Sequence, residues 1–303
     1  MTKKLKKKVK TVAAENPSES LFRKIDWESS EFSTFVHQES VNLAGVFGCG
    51  KESSKESPCA WVLGGNQSPE VVQAGDRWHV CLNSQSQVEQ VAEEIFSAVQ
   101  DCSLGSDCAS QAYLVLAASH SVRKLVGECD FADWQNTLDR IFDLSKAAES
   151  KPELSMEVYQ WLAVELPLVV AYQLPEWEGC QVWAQDACRK MSLSISELLD
   201  HDGWPTTRCL PSFETLAASW VRCQLVVEAM KAKSILTQDT GLDVVSQLEW
   251  MVRQIIRMLR FDRKLVFSTN KSLVASDRFL KCLLKLSSDR DDKALLKHTL
   301  GKA

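Results

Sequence analysis

The segment Ser155–Leu174 reads SMEVYQWLAVELPLVVAYQL, and its apolar pattern decides the expected fold. Apolar residues three and four positions apart indicate one continuous face of a helix. That face contains Val158, Trp161, Leu162, Val169 and Tyr172. A single carboxylate, Glu165, falls on the same face, and Pro167 lies inside the helix, where it removes a backbone donor and bends the chain.

Glu165 has two interpretations. A carboxylate on an apolar face beside a bend can be an acid or base whose pKa is raised by burial, and Glu165 is then a catalytic candidate. Alternatively, Glu165 pairs with an arginine of a neighbouring helix and serves only the fold. The sequence leaves both interpretations open.

Helical spacing continues from Asp130, which is placed to cap a helix, to the last residues of the chain. Further apolar stripes predict helices at about 177–199, 213–230, 245–259, 272–287 and 291–299. Within one of these helices, Glu249 and Arg253 have the i,i+4 spacing of an ion pair. Helices of similar length with short connections pack as hairpins, so residues 126–303 are expected to form an α-helical hairpin body, either a solenoid or a closed α/α toroid.

The first part of the chain has a different pattern. Residues 1–20 lack an apolar pattern and are expected to form a disordered basic tail, and residues 21–125 a small mixed α/β region. DRWHVCL at 76–82 alternates with a period of two and predicts a strand, whereas SQVEQVAEEIFSAVQ at 86–100 predicts a helix. AYLVLAAS at 112–119 fits either a buried strand or a short helix. The expected fold class is mainly α, a toroid-like hairpin body with a small mixed N-terminal region.

A glycine-rich stretch at residues 45–54, GVFGCGKESS, partly fits the phosphate-binding loop G-x-x-x-x-G-K-[ST]. Glu52 stands where that loop needs a Ser or Thr hydroxyl for magnesium, and its carboxylate would repel phosphates. No apolar helix pattern follows, and the residues after the loop run into Pro58, which is typical of a solvated loop. The sequence therefore predicts no nucleotide site here, and no cofactor is expected elsewhere.

The charge distribution limits the classes of partner. The chain of 303 residues carries a net charge of −5, and its first ten residues contribute six positive charges, which leaves −11 on the remainder. A body this acidic is a poor general binder of nucleic acid, and the sequence has no apolar stretch of membrane-spanning length. The basic start is not followed by the apolar region of a secretory signal, so a cytoplasmic location is expected.

The cysteines point to the same compartment. There are eleven, they are scattered, and no two form a C-x-x-C pair, which argues against a zinc ribbon. We therefore expect free thiols in a reducing environment.

The loop at 200–211, DHDGWPTTRCLP, groups an imidazole, an indole and a guanidinium in His201, Trp204 and Arg208. Trp204 can stack on a sugar ring, and Arg208 can hold a carboxylate or sulfate through two hydrogen bonds. The alternative is an ordinary helix–helix loop. The acidic residues do not fit a calcium loop, because Gly203 in the sixth position would place Leu198 in the first.

Two segments, VYQWLAVELPLVVAYQLPE at 158–176 and ELLDHDGWPTTRCLPSFETLAASWVRCQ at 197–224, resemble the helical part of bacterial heparinase II/III-like proteins. The resemblance covers about residues 130–300 and implies an α/α toroid, which in that family is followed by a β-sandwich. Members cleave acidic polysaccharides by β-elimination, which needs a carboxylate neutraliser, a base and an acid. Tyrosine and histidine commonly serve in these roles. The catalytic candidates are therefore His201 and Tyr159, together with Glu165, and no family motif assigns any of them.

The chain ends at Ala303 without a strand-rich second half, whereas the cleft of the family lies between its two domains. The expected function is that of an incomplete or non-catalytic toroid that contacts an acidic polysaccharide, with a β-sandwich domain or a separate protein completing the cleft. The rival class is a helical protein-interaction scaffold without enzymatic activity. A third is a regulatory module that uses the Lys-rich tail.

Overall fold

The computed structural model describes residues 43–47, 68–84, 86–126, 129–176, 178–236, 245–260, 262–266 and 275–301. Within these ranges every regular element is a helix, and backbone pairing of the β type is limited to two isolated bridges. The expectation of a mainly α protein is confirmed. The nucleotide-loop prediction falls on residues 45–54, of which only those up to 47 lie among the described residues.

The helices, numbered in chain order, divide into two groups around a π-helical turn. Before that turn come α1 (Leu43–Val46), α2 (Pro69–Ser84), α3 (Val88–Gln100), α4 (Ala109–Ser119), α5 (Val122–Leu125), α6 (Phe131–Glu149) and α7 (Met156–Tyr159). The π-helix is Gln160–Glu165. After it come α8 (Leu166–Gln173), α9 (Glu178–Leu198), a 3₁₀ turn (Leu210–Ser212), α10 (Phe213–Ala232), α11 (Val245–Met258), α12 (Asp277–Leu286) and α13 (Arg290–Thr299).

The strand prediction for residues 76–82 is wrong, because this stretch belongs to helix α2. Ser68 caps the helix by accepting a hydrogen bond from the amide of Val71, and proline at the first helical position needs no donor. The buried residues Gly75, Trp78 and Leu82 are three and four positions apart, which is helical spacing. A window of seven residues was too short to distinguish this helical spacing from the period-two alternation of a strand.

The other two N-terminal predictions have clear outcomes. The helix predicted at 86–100 is confirmed as α3, and the ambiguous stretch at 112–119 belongs to helix α4. Helix α4 is buried over most of its circumference, which explains why its sequence shows no polar face. Helix α3 packs against α6, and α4 packs against the π-helix, so both contact the predicted helical body directly.

The segment Ser155–Leu174 forms the centre of the protein. The π-helix and α8 are completely buried and contact α4, α6, α9 and α10. Ser155 caps the segment by accepting from the amide of Val158 at 3.4 Å. Pro167 follows the π-helix at the start of α8, where a missing backbone donor is tolerated. The bend predicted at this proline is realised as a wide π turn immediately before it.

The helices after α10 form a smaller packing unit in which α11 contacts both α12 and α13. The predicted Glu249–Arg253 pair is wrong. Arg253 instead bonds to the carboxylates of Asp289 at 2.6 Å and Asp292 at 3.1 Å. Asp289 caps α13 and is half-buried, so it is a better-shielded partner than an exposed glutamate on the same helix.

Among the helices described, none combines the length and the apolar character that crossing a membrane requires.

Candidate functional site

A groove of about 370 Å³ runs between the end of α6, the short helix α7 and the second half of α9. Tyr159, the last residue of α7, and Arg208, from the loop after α9, both line it. The groove is named here the Tyr159–Arg208 groove. Its apolar lining includes Leu154, Met156 and Leu193, and its charged lining includes Glu149, Lys151, Lys190 and Glu197. The structure therefore brings together two of the predicted site residues, which are far apart in sequence.

Two of the three cationic side chains in the groove are already bonded within the protein. Lys190 lies 2.7 Å from the carboxylate of Glu149 and also bonds to Asp186. Lys151 donates to the carbonyl oxygen of Leu104 at 2.6 Å.

Arg208 differs from these two lysines. It is exposed, and it forms no hydrogen bond or ion pair with any residue in the described ranges. A guanidinium can bind a carboxylate, sulfate or phosphate through two parallel hydrogen bonds. Arg208 is thus the cation of the groove that is available to an anionic ligand.

The phenol of Tyr159 is half-buried beside the same charges. Burial raises its pKa above the ordinary value, Lys190 opposes this rise, and the carboxylates of Glu149, Asp186 and Glu197 add to it. The hydroxyl is therefore protonated at neutral pH. In this state it can donate a hydrogen bond to a ligand oxygen and accept one from a ligand hydroxyl.

The loop that carries Arg208 begins with a tight turn built on Asp200. One carboxylate oxygen of Asp200 accepts from the amides of Asp202 at 3.0 Å and Trp204 at 2.8 Å. Gly203 has a φ of +77° and approaches α11 so closely that a Cβ would lie 2.3 Å from the backbone nitrogen of Met251. Glycine is required at this position for both reasons.

The other two polar residues predicted in this loop do not line the groove. The side chain of His201 is 89% exposed and lies 3.3 Å from the carboxylate of Asp202. Trp204 is 43% exposed on the turn that packs against α11. The stacking role of Trp204 and the proton-transfer role of His201 remain predictions.

Glu165 lies in the core and not in the groove. Its carboxylate accepts from Arg222 Nη2 at 2.8 Å and from Ser219 Oγ at 2.6 Å, and His120 Nε2 is 3.9 Å away. Burial by itself would raise the pKa of Glu165, but the charge and hydrogen bonds of Arg222, with a smaller contribution from His120, hold it well below the ordinary value. The structure shows the arginine-paired alternative and not the alternative of a carboxylate with a raised pKa.

The polar residues around this pair were not singled out from the sequence. Gln160 donates to Ser219 Oγ at 3.1 Å and accepts from Trp220 Nε1 at 3.2 Å. The signal available was Arg222 itself, a charged residue among apolar neighbours in α10, a helix that is buried on most of its surface. Such a residue needs a buried partner of opposite charge, and Glu165 is the carboxylate on the facing apolar stripe.

Within the part of the chain that the structure describes, no three histidine, cysteine, aspartate or glutamate side chains converge as a metal site would require.

Comparisons of this chain with protein-family models, curated proteins and solved structures find no match. The case for a function therefore depends on the geometry and charge of the groove.

Proposed function

We propose that this chain binds an acidic oligosaccharide in the Tyr159–Arg208 groove, with Arg208 receiving a carboxylate or sulfate of the sugar. The observation that carries the proposal is the state of Arg208, which is exposed in a groove and forms no ion pair with the described residues. The predicted resemblance to heparinase II/III-like toroids, made from the sequence, points to the same ligand class.

The rest of the groove suits a sugar. Its volume of about 370 Å³ lies in the range of small-ligand sites, roughly 300–1,000 Å³. Leu154, Met156 and Leu193 offer apolar surface to the C–H face of a sugar ring. The protonated hydroxyl of Tyr159 offers a directional contact to a ring hydroxyl.

The proposed activity is binding and not cleavage by the candidates named from the sequence. β-Elimination needs a base and an acid on the same sugar ring. Glu165 is buried and ion-paired, and His201 lies outside the groove lining, so Tyr159 alone of the three candidates faces the groove. In this proposal, a β-sandwich domain or a separate protein supplies the other groups when cleavage takes place.

Calorimetric titration tests the proposal, with heparin, alginate and chondroitin oligosaccharides as probes at low and physiological salt. We expect saturable binding of at least one probe, a weaker affinity in Arg208→Ala, and no rise in the ultraviolet absorbance that marks an unsaturated product. Arg290→Ala is the matched control, because Arg290 is exposed, lies on α13 and forms no ion pair among the described residues. Absence of binding to all three probes, or equal affinities in the two variants, would overturn the proposal.

The second candidate function is a protein-interaction scaffold. Trp204 and Trp250 are 43% and 40% exposed, and the turn that carries Trp204 contacts the backbone of α11 at Trp250. Large exposed apolar side chains that lie close together are typical of protein-binding surfaces. This candidate moves ahead if the sugars do not bind and if Trp204→Ala and Trp250→Ala both weaken binding of a purified partner protein.

A further inference from the structure

We infer that Asp200 and Gln254 are positioning residues for Arg208, and that helix α11 thereby controls the Tyr159–Arg208 groove from outside it. This inference rests on the proposed function of the groove. Neither residue lines the groove, so neither is expected to touch the ligand. They act on the loop between α9 and α10, which carries Arg208.

The first restraint on the loop comes from the Asp200 carboxylate. It accepts from two backbone amides of the turn, and the amide of Asp200 in turn donates to the carbonyl oxygen of Trp204 at 2.9 Å. These three bonds fix the reversal of the chain at residues 200–204. Without the carboxylate, these amides would form hydrogen bonds to water instead, and the turn would sample other conformations.

The second restraint on the loop comes from helix α11. The side chain of Gln254 is largely buried, at 8% exposure, and donates to the carbonyl oxygen of Asp202 at 3.1 Å. The close approach of Gly203 to Met251 places the turn directly on the α11 backbone. The tip of the loop is thus attached to α11, whereas the two ends of the loop are attached to α9 and α10.

The geometry of the turn is transmitted to Arg208 by the segment of the loop that follows it. Leu199 and Pro205 form an antiparallel bridge, and the amide of Thr206 donates to the carbonyl oxygen of Leu198 at 2.9 Å. Cys209, directly after Arg208, is fully buried. Arg208 therefore lies between the hydrogen-bonded residues 205–206 and the buried Cys209, so its backbone position depends on the turn that precedes it.

Fixing the loop before binding lowers the entropy cost of ordering it in the complex. Loss of either restraint is expected to weaken oligosaccharide binding roughly three- to tenfold. This is the cost of ordering one or two mobile side chains or a short loop when the ligand binds. The charge and identity of the ligand-contacting residues would be unchanged.

The experiment compares Asp200→Ala, Asp200→Asn and Gln254→Leu, using whichever of the alginate, chondroitin or heparin oligosaccharides binds the wild-type chain. Asparagine keeps the accepting side-chain oxygen, so Asp200→Asn should bind like wild type while Asp200→Ala and Gln254→Leu bind more weakly. Gln247→Leu is the control, because Gln247 lies on the same helix and forms no hydrogen bond with the described residues. The hydrogen-exchange rate of the backbone amides of residues 200–208 should increase only in the two variants with weakened binding. The thermal midpoint of each variant is also recorded, which identifies any variant that is unfolded.

The outcomes separate this inference from the proposed function. If the wild-type chain binds none of the probes, the proposed function is overturned and the inference with it. If the wild-type chain binds but folded Asp200→Ala and Gln254→Leu bind equally well, only the inference is overturned. Asp200→Asn as weak as Asp200→Ala would also overturn it, since the accepted hydrogen bonds would not be the cause.

Discussion

Arg222 and Glu165 form an ion pair at the centre of the protein, and both side chains are fully buried. Arg222 Nη2 lies 2.8 Å from Glu165 Oε2, and Arg222 Nε also donates to the carboxylate. The pair joins the π-helix to α10, and the hydrogen bonds of Gln160 to Ser219 and Trp220 link the same two elements. A buried pair of this kind adds little net stability over an apolar pair of similar volume, but it strongly penalises the loss of one partner.

Glu165→Gln should therefore destabilise the protein severely. Glutamine keeps the volume but cannot neutralise the buried guanidinium, and removal of one partner of such a pair costs roughly 3–5 kcal/mol. Urea denaturation followed by circular dichroism measures the change. Glu153→Gln, on an exposed position, is the matched control. The double variant Glu165→Leu with Arg222→Met should recover most of the loss, and a single variant as stable as the control would contradict the structural role of the pair.

Helix α3 and most helices from α6 onward were predictable from sequence because their apolar residues repeat at three and four positions. The stripe of α6 illustrates this, since Trp134, Leu138, Ile141 and Phe142 are all buried. The π-helix was not predictable, because a bend at Pro167 does not specify which turn before it widens. The strand at 76–82 was wrongly predicted from a short window, and lengthening the window to Pro69 restores the helical spacing.

The candidate site was predictable in part. The residue types of the 200–211 loop pointed to Arg208, and the resemblance pointed to tyrosine and histidine, but neither predicted that Tyr159 and Arg208 share a groove. Their shared position depends on the packing of α7 against its neighbours, which no local pattern specifies. Similarly, the sequence allowed an arginine partner for Glu165, and Arg222 was a candidate as a charge among apolar residues, but no local pattern shows that these two helices pack against each other.

His79 on α2 should make the protein less stable in mild acid. Burial lowers its pKa from 6.5 to about 3, and the neighbouring Lys124, His120 and Arg278 add to this effect. Because the folded-state pKa lies below the unfolded value, the unfolded chain takes up the proton first, and stability falls as pH drops from 6.5 towards 3. His79→Gln should lose less stability than wild type between pH 7 and pH 5 in urea denaturation.

The control for this experiment is His201→Gln, since the His201 side chain is 89% exposed. The stability of this variant is measured at the same two pH values as that of the wild-type chain and His79→Gln. If His79→Gln shows the same loss between the two pH values as wild type, His79 is not a source of the acid sensitivity.

All eleven cysteines should be reduced in the isolated protein, two of them, Cys49 and Cys59, lying outside the described residues. The nine described cysteines are free thiols, and all but Cys129 are buried. Burial raises the pKa of Cys188 and of Cys209 to about 12, so these thiols should react slowly while the protein is folded. Alkylation with iodoacetamide, followed by mass spectrometry, should label few sites in the native protein and all eleven in urea. Pairs that resist alkylation in urea without reductant would indicate disulfides and an oxidising compartment.

Arg208→Lys and Arg208→Ala should separate charge from geometry in the proposed sugar groove. A charge-assisted hydrogen bond contributes roughly 1.5–3 kcal/mol, so Arg208→Ala should weaken oligosaccharide binding about tenfold or more. Lysine keeps the positive charge but cannot make two parallel bonds to one carboxylate or sulfate, so Arg208→Lys should fall between wild type and Arg208→Ala. Because Arg208 is exposed, raising the salt from 50 mM to 500 mM should weaken binding by wild type and Arg208→Lys more than by Arg208→Ala. Calorimetric titration gives all three affinities, and a lysine variant that equals wild type at both salt concentrations would rule out two-pronged recognition.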